Sequence, residues 1–454
     1  MTPHANTNLA SQRQAGRTVV VGLGRTGLSC ARYLQSRGVV FAVTDSRKSP
    51  PESAALRQLA PQAQVSFGAF DASLLDGATQ IVVSPGVSLR EPLLVDAARR
   101  GLPIVGDIEL FAREAKAPVV AITGTNGKST VTTLVARMAE AAGKRVLTGG
   151  NLGRPALDLL DEPVPDLYVL ELSSFQLDTT QSLRTAAATV LNVTPDHMDR
   201  YATLDDYAAS KARIFANCDA AILNLDDAAV RSMAAGARRK LGFSLLRDPA
   251  ADYCADAQGS DVVLMQGQTP IVAMSELKIT GLHNAANALA SLAMSDALGL
   301  SREYAVQALR DFPGLPHRSQ WVADVDGVRY VDDSKGTNVG ATLAAVAGMS
   351  GSLVLIAGGQ GKGQDFSALA AAFRGKVRHV VLLGQDAKLI ADAVQGVSTF
   401  EFARDMDEAV RMSAKAARTG ETVLLSPACA SLDMFRDYAH RGDVFAAAVR
   451  GLRS

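Results

Sequence analysis

The run Val119-Val120-Ala121-Ile122, followed by Thr123-Gly124-Thr125-Asn126-Gly127-Lys128-Ser129-Thr130, leaves the chain little freedom in how it folds. The apolar run reads as a buried strand, and the Gly-rich turn after it opens into a helix beginning at Lys128. Such a strand–loop–helix unit belongs to a parallel α/β sheet and points successive backbone N–H groups at a polyphosphate. Lys128 adds charge, and the Ser129 hydroxyl can reach Mg2+. The general phosphate-loop pattern G-x-x-x-x-G-K-[ST] asks for glycine at position 122, where this chain has Ile122. The loop binds phosphate but belongs to a narrower class.

At 454 residues the chain has room for about three domains. Short apolar runs alternate with Ala/Leu-rich helical stretches, the pattern of open parallel sheets wrapped by helices. Strands are expected at Thr18–Val21, Val39–Thr44, Gln80–Val83, Tyr168–Glu171, Thr189–Val193 and Ala220–Leu225. Residues 241–275 read as a small accessory sheet, and His283–Leu298 as a helix. Beyond the linker Phe312-Pro313-Gly314-Leu315-Pro316, fresh strands begin at Arg329–Val331, Leu353–Ala357, Val377–Leu383 and Thr422–Leu425. The expected fold class is α/β in three domains. A Rossmann-like parallel sheet occupies 1–107, a P-loop ATPase-type domain 108–313 and a second Rossmann-like domain 314–454. Residues 1–16 are polar and expected to be flexible, with no signal-peptide core.

Lys and Arg number 46, as do Asp and Glu, so no basic excess points to nucleic acid or to an anionic membrane. No apolar run reaches the roughly 18 residues of a membrane span. Cys30, Cys218, Cys254 and Cys429 lie far apart without C-x-x-C spacing, which suits reduced thiols in a cytoplasmic protein. Cys429 is expected to be a small buried residue, since no partner histidine motif lies near it.

Gly22-Leu23-Gly24-Arg25-Thr26-Gly27 follows a strand and opens a helix, and Asp45 ends the next strand. Taken alone, this is a nucleotide or diphosphate fingerprint that serves NAD or a UDP-sugar equally, so an NAD-dependent oxidoreductase stays open on it. Glu171 ends a neighbouring strand, where a metal-bridged phosphate needs an oxygen ligand. His197 sits at another strand end in Pro195-Asp196-His197-Met198-Asp199-Arg200, although Mg2+ rarely takes imidazole. Lys211 lies in the helix Tyr207–Phe215 and looks like an ordinary helix lysine. Asn284 suits an N-cap. Asn287, one turn on, is a poor helix former, which a ligand such as a base edge would explain. Around 316–438, Arg318, Lys335 and Lys362 supply cations suited to an anionic co-substrate and a transferring phosphate.

Gly-Thr-Asn-Gly-Lys-Ser-Thr, Glu-Leu-Ser-Ser-Phe-Gln-Leu, Asn-Val-Thr-Pro-Asp-His-Met-Asp-Arg, Gly-Leu-His-Asn-Ala-Ala-Asn, Leu-Pro-His-Arg and Asp-Ser-Lys-Gly-Thr-Asn occur in that order from about residue 17 onward. Together they resemble the Mur ligases, and most of all the members that add D-glutamate. The resemblance implies a cytoplasmic, monomeric ligase with ATP, two Mg2+ ions and a carbamylated Lys211. Its substrates would be UDP-N-acetylmuramoyl-L-alanine and D-glutamate, joined through an acyl phosphate in peptidoglycan precursor synthesis. Another Mur-type ligase with a different amino acid is the near alternative.

Residue by residue, the resemblance implies that Gly124–Thr130 hold the ATP phosphates, with Asn284, Asn287, Arg318 and Asp333 around adenosine and its phosphates. Ser129, Glu171, His197 and Lys211 fall on metal positions, and Lys128, His197, Lys211 and Lys335 on catalytic ones. Gly24, Arg25, Thr26, Asp45, Ser46, Arg47, Gly86 and Asn151 match the sugar-nucleotide site. Lys335, Thr337, Lys362, Ser431, Leu432 and Tyr438 match the glutamate pocket. Tyr438 stands where phenylalanine is usual, Gly336 where alanine is common, and Pro316-His317-Arg318 is followed by Ser319-Gln320 in place of an aromatic and an acid.

Overall fold

The computed structural model describes residues 16–452 except 235, 259 and 260. The expected flexible segment 1–16 therefore lies outside the described residues, apart from Gly16. Three sheets carry the fold. The first is all parallel, in the order Gln64–Phe67, Phe41–Asp45, Arg17–Val21, Ala78–Val83, Ile104–Val105. Its strand order reverses beside Arg17–Val21, so the Gly22–Gly27 loop and the Ser84-Pro85-Gly86 turn share one switch-point crevice.

The second sheet has nine strands. Its parallel portion runs Val146–Gly150, Leu167–Glu171, Val119–Thr123, Thr185–Val190, Cys218–Asn224, Arg239–Ser244, Tyr253–Gln258. The antiparallel strands Asp261–Gln266 and Thr269–Ala273 complete it. Val119–Thr123 is wholly buried and lies between Leu167–Glu171 and Thr185–Val190, with Ile122 paired to both Glu171 and Thr189. That register accounts for isoleucine at 122. The strand continues to Thr123, Ile122 itself pairs on both sides, and a side chain with no exposed surface fits there better than a glycine. The helix Lys128–Ala141 returns across the sheet and packs with Leu282–Ala297 in one apolar cluster.

The third sheet is ordered Gln320–Val325, Val328–Asp332, Thr422–Leu425, Leu353–Ala357, Val377–Leu382, Thr399–Phe402, antiparallel only at its first pair. The loops after Val328–Asp332, Leu353–Ala357 and Thr422–Leu425 leave the same edge of this sheet.

Several expectations change. The β-rich stretch 241–275 is no separate accessory sheet, because its strands extend the central one through the parallel Cys218–Asn224/Arg239–Ser244 pair. The strand expected at Thr189–Val193 spans Thr185–Val190, which leaves Leu191–Val193 to begin the loop toward His197. Asn284 is not the N-cap of its helix: Gly281 occupies that place, and the Asn284 amide donates to the Thr280 carbonyl at 2.9 Å. The strands Val146–Gly150, Gln320–Val325 and Thr399–Phe402 were not anticipated, since each carries glycines or exposed polar residues that blur the apolar pattern. No helix among the described residues is long and apolar enough to cross a membrane.

Candidate active site

The phosphate loop is built from the central strand outward. Gly127 caps the helix Lys128–Ala141 in a left-handed conformation, φ 85° and ψ −16°. Two side chains fix the loop in front of it. Asn192 accepts from the Asn126 N–H at 2.8 Å and donates its amide to the Asn126 carbonyl at 3.1 Å. The Thr125 hydroxyl donates to the Thr194 carbonyl at 3.1 Å and accepts from the Thr194 N–H at 3.0 Å. Lys128 Nζ folds back onto the carbonyls of Gly124 and Thr125, both at 2.9 Å, and burial lowers its pKa.

Lys211 comes from the helix Leu204–Ala212, capped by Thr203 and Asp206. It is 1% exposed, and its Nζ donates to the Gly124 carbonyl at 3.0 Å and lies 4.2 Å from the Tyr207 ring centroid. Burial first, then the Lys128 charge, pushes its pKa well below the usual lysine value, which favours a neutral, nucleophilic amine. His197 holds a positive φ of 57° at the turn after Asp196. Its ring packs edge-on to Phe175 with centroids 4.9 Å apart, and burial lowers its pKa to about 4 despite the Asp196 carboxylate. The imidazole is thus neutral at pH 7.

The donor set accommodates a hard cation. Glu171 is 3% exposed; its Oε1 accepts from the Asn151 amide at 2.6 Å, while its Oε2 is buried without a hydrogen-bond partner. Ser129 Oγ lies in the same cavity. Among the described residues no group of three or more His, Cys, Asp or Glu could enclose a metal alone. A serine and one carboxylate, with phosphate oxygens and water completing the shell, is the sparse protein share that Mg2+ takes at nucleotide sites. These residues fit it.

The third sheet sends its loop residues across to this centre. Arg318 Nη2 donates to Ser129 Oγ at 2.9 Å. Asn338 caps the helix Val339–Gly348, and its amide donates to Asn126 Oδ1 and to Asp196 Oδ2, both at 3.2 Å. Lys362 Nζ lies 3.5 Å from Asp196 Oδ1. Lys335 sits over the Tyr438 ring, 3.8 Å from its centroid, and burial together with the Arg318 and Lys128 charges lowers its pKa to about 7. Asp333, buried and accepting from Ser426 Oγ at 2.8 Å and the Ser319 N–H at 3.1 Å, is pushed up to about 7. A second cavity adjoins the first, lined by Asn284, Asn287, His283, Arg318 and Asp333, with the apolar Leu191 and Phe243 as walls. It is a slot of the kind a nucleobase and its ribose occupy.

One cavity therefore joins Thr125–Ser129, Asn151, Glu171, His197, Lys211, Arg318, Lys335, Thr337 and Lys362. Ser431 is buried and Leu432 is 67% exposed, and neither lines it. The first-sheet residues stay in their own crevice. There Asp45 accepts from the Leu23 N–H at 2.7 Å and from Arg47 Nη2 at 2.6 Å, so burial raises its pKa less than these partners lower it. Gly24, Arg25, Thr26, Ser46 and Gly86 do not line the central cavity, and Arg25 Nη2 donates to the Gly153 carbonyl at 2.9 Å. Cys429 is fully buried, its thiol pushed up to about 12 by burial, as expected of a packing residue.

Sequence reasoning passed over four residues that shape the site: Asn192, Asp196, Asn338 and Arg441. Arg441 is 1% exposed and ties the Lys335 loop to the Cys429 turn by donating to the carbonyls of Ser334 at 2.8 Å and Cys429 at 3.1 Å. Its neighbours His440, Gly442 and Asp443 give the stretch no apolar pattern against which a buried arginine would stand out.

The comparisons with known proteins agree with this geometry. Residues 16–106 match the MurD-like N-terminal domain of Mur ligases, 122–295 the Mur ligase middle domain, and 317–429 the Mur ligase glutamate ligase domain. The chain belongs to the Mur ligase family. It is 51% identical over 442 residues to the UDP-N-acetylmuramoylalanine–D-glutamate ligase of Nitrosococcus oceani, covering 97% of this chain and 98% of that one. To the enzyme of the same name from Pseudomonas aeruginosa it is 52% identical over 439 residues, 96% and 98% of the two chains. Among solved structures, UDP-N-acetylmuramate-alanine ligase MurC of Thermotoga maritima superposes with a TM-score of 0.62 at 18% identity over 96% of this chain and 100% of that one. MurF of Acinetobacter baumannii gives 0.61 at 17% over 96% and 92%. These last two likenesses show the three-domain fold alone.

Proposed function

We propose that this chain is the ATP-dependent ligase that joins D-glutamate to UDP-N-acetylmuramoyl-L-alanine in peptidoglycan precursor synthesis. The observation that carries the reading is the convergence of Arg318, Lys335 and Lys362, from the third sheet, on the phosphate loop of the second. Near 50% identity over almost the full length to enzymes of that name supports it. The NAD-dependent alternative is not favoured, because it leaves the phosphate loop and this convergence without a role.

In the proposed reaction a carboxylate oxygen of the alanyl group attacks the γ-phosphorus of ATP, and the bond to the ADP oxygen breaks. The D-glutamate nitrogen then attacks the acyl-phosphate carbon, and a tetrahedral intermediate expels phosphate as the amine loses its proton. Lys128 turns from the Gly124 and Thr125 carbonyls to the phosphates, and Gly124–Thr130 present their backbone N–H groups. Asn284, Asn287 and Asp333 hold the adenosine. Lys335, Thr337 and Lys362 receive the glutamate carboxylates, with Ser431, Leu432 and Tyr438 behind them. Asn151 and the crevice of Gly24, Arg25, Thr26, Asp45, Ser46, Arg47 and Gly86 hold the sugar nucleotide.

Ser129 and Glu171, together with His197 and a carbamylated Lys211, would hold two Mg2+ ions, which when bound offset the phosphate charge. Carbamylation forms a C–N bond between the neutral Lys211 amine and carbon dioxide with loss of a proton, and the buried, depressed-pKa nitrogen suits it. The proposed domain borders are 107/108 and 313/314, and the proposed ligase is a cytoplasmic monomer. Substrate labelled with 18O in the alanyl carboxylate tests the mechanism. One label appears in the released phosphate if the acyl phosphate forms, and unlabelled phosphate contradicts it.

A further inference from the structure

Arg200 is a residue to which the proposed reaction assigns nothing, and its guanidinium is held on two sides. One face lies over Phe175, 4.3 Å from the ring centroid. The other contacts cross to the first sheet, where Nη2 donates to the Val87 carbonyl at 3.0 Å and Nη1 to the Gly86 carbonyl at 3.4 Å. Phe175 in turn packs edge-on to His197 and stacks with Tyr201, centroids 5.9 Å apart and planes 8° from parallel. Arg200 is tied to His197 by the turn in which its N–H donates to the His197 carbonyl at 2.9 Å.

The far end of this chain of contacts is equally specific. The 84–87 turn leans on the Gly22 loop: Ser84 Oγ donates to the Gly22 carbonyl at 2.8 Å, and a Cβ on Gly22 would come within 2.8 Å of Val87 Cγ2. Any movement of Gly86–Val87 is therefore felt at Gly22, Leu23 and the start of the helix Arg25–Ser36. A planar guanidinium offers a forked edge to two carbonyls and a face to an aromatic ring at once, which an ammonium cannot do.

We infer that Arg200 is a positioning residue for the sugar-nucleotide substrate: it clamps the Gly86–Val87 turn of the first domain to the His197–Phe175 wall of the reaction centre. The inference rests on the ligase reading above. It sets the distance between the crevice that holds the nucleotide and the cavity where its distal carboxylate must arrive. Loss of the clamp leaves the phosphate loop and the Lys335 and Lys362 loops as they are, so its effect falls on one substrate of three.

The test is steady-state phosphate release by the full chain, with each substrate varied in turn. For Arg200→Ala the KM for UDP-N-acetylmuramoyl-L-alanine rises about tenfold, from the lost charged hydrogen bonds and cation–π contact, while the KM values for ATP and D-glutamate stay within about twofold. Arg200→Lys recovers the charge but not the fork and lies between. Phe175→Leu, which removes the ring under the guanidinium together with its contacts to His197 and Tyr201, raises the same KM and lowers kcat as well. Circular dichroism melts of each variant report folding separately, and Arg200→Lys keeps the test open if the alanine variant is unfolded. An unchanged sugar-nucleotide KM in folded Arg200→Ala, or an equal rise in all three KM values, overturns the inference. Absence of phosphate release in the unsubstituted protein instead defeats the ligase reading.

Discussion

The close seat of Asn287 against the phosphate loop allows a quantitative test at Gly127. The substitution Gly127→Ala places a Cβ on a residue with φ 85°, and that atom would fall well inside contact distance of Asn287 Oδ1 and 3.2 Å from Leu191 Cδ1. Asn287 cannot yield freely. It is 8% exposed, sits inside a helix packed among alanines and leucines, and donates to Asn284 Oδ1 at 3.3 Å. The left-handed backbone costs an L-residue roughly 1–2 kcal/mol, and overpacking a tight interior roughly another 1–3, for a total of roughly 2–5 kcal/mol. Gly143, just beyond the other end of the same helix, supplies the control: its φ is 78°, but nothing lies within 4 Å of its would-be Cβ. Gly143→Ala should therefore show the backbone cost alone, roughly 1–2 kcal/mol, and ordinary turnover. Urea midpoints followed by circular dichroism, with the KM for ATP from phosphate release, compare the two. The reasoning predicts a larger stability loss and a raised KM for ATP only at Gly127. Equal losses at the two positions, or an unchanged KM for ATP in Gly127→Ala, would refute the idea that Asn287 and the loop form one nucleotide-shaped surface.

Further outcomes follow from the same geometry. Glu171→Gln should raise the Mg2+ concentration for half-maximal activity about tenfold or more while leaving thermal unfolding near that of the parent; an unchanged Mg2+ requirement would remove Glu171 from the metal site. Lys211 should give a carbamate resonance by 13C NMR with labelled bicarbonate, absent in Lys211→Ala, and depleting carbon dioxide should lower turnover reversibly. Lys335 loses its proton near pH 7 in the folded chain and near 10.4 when unfolded, so the unfolded state binds more protons across that window and stability rises with pH through it. Lys335→Met should flatten that rise in denaturation midpoints measured from pH 7 to 10, and an unaltered slope would contradict the assignment.

What could be read from the sequence was whatever depends on local pattern. Lys128 begins its helix as expected, Glu171 ends its strand, and the loop sequence alone marked a phosphate site. Lys211 was different. Its residue type and position read as an ordinary helix lysine, and only the resemblance to the Mur ligases singled it out. The cause of its depressed pKa, burial and then the Lys128 charge beside the Gly124 carbonyl to which it donates, comes from a loop far along the chain. Asn192 escaped notice for the same reason, since holding both polar groups of Asn126 is a consequence of two adjacent strand ends. Asn284 was misread as a cap because capping residues and first-turn residues share the same composition. Strand 239–244 joined the central sheet through a pairing that no local alternation could reveal.

The central claim is that the phosphate loop and the cations facing it serve an amide-forming reaction with one particular acid and one particular amine. Phosphate release from ATP, measured with UDP-N-acetylmuramoyl-L-alanine against a panel of amino acids, tests it most directly. Release that requires both the sugar nucleotide and D-glutamate is the predicted result. Release with L-glutamate, L-alanine or a diamino acid in preference would overturn the specificity, and ATP turnover indifferent to the sugar nucleotide would contradict the account as a whole.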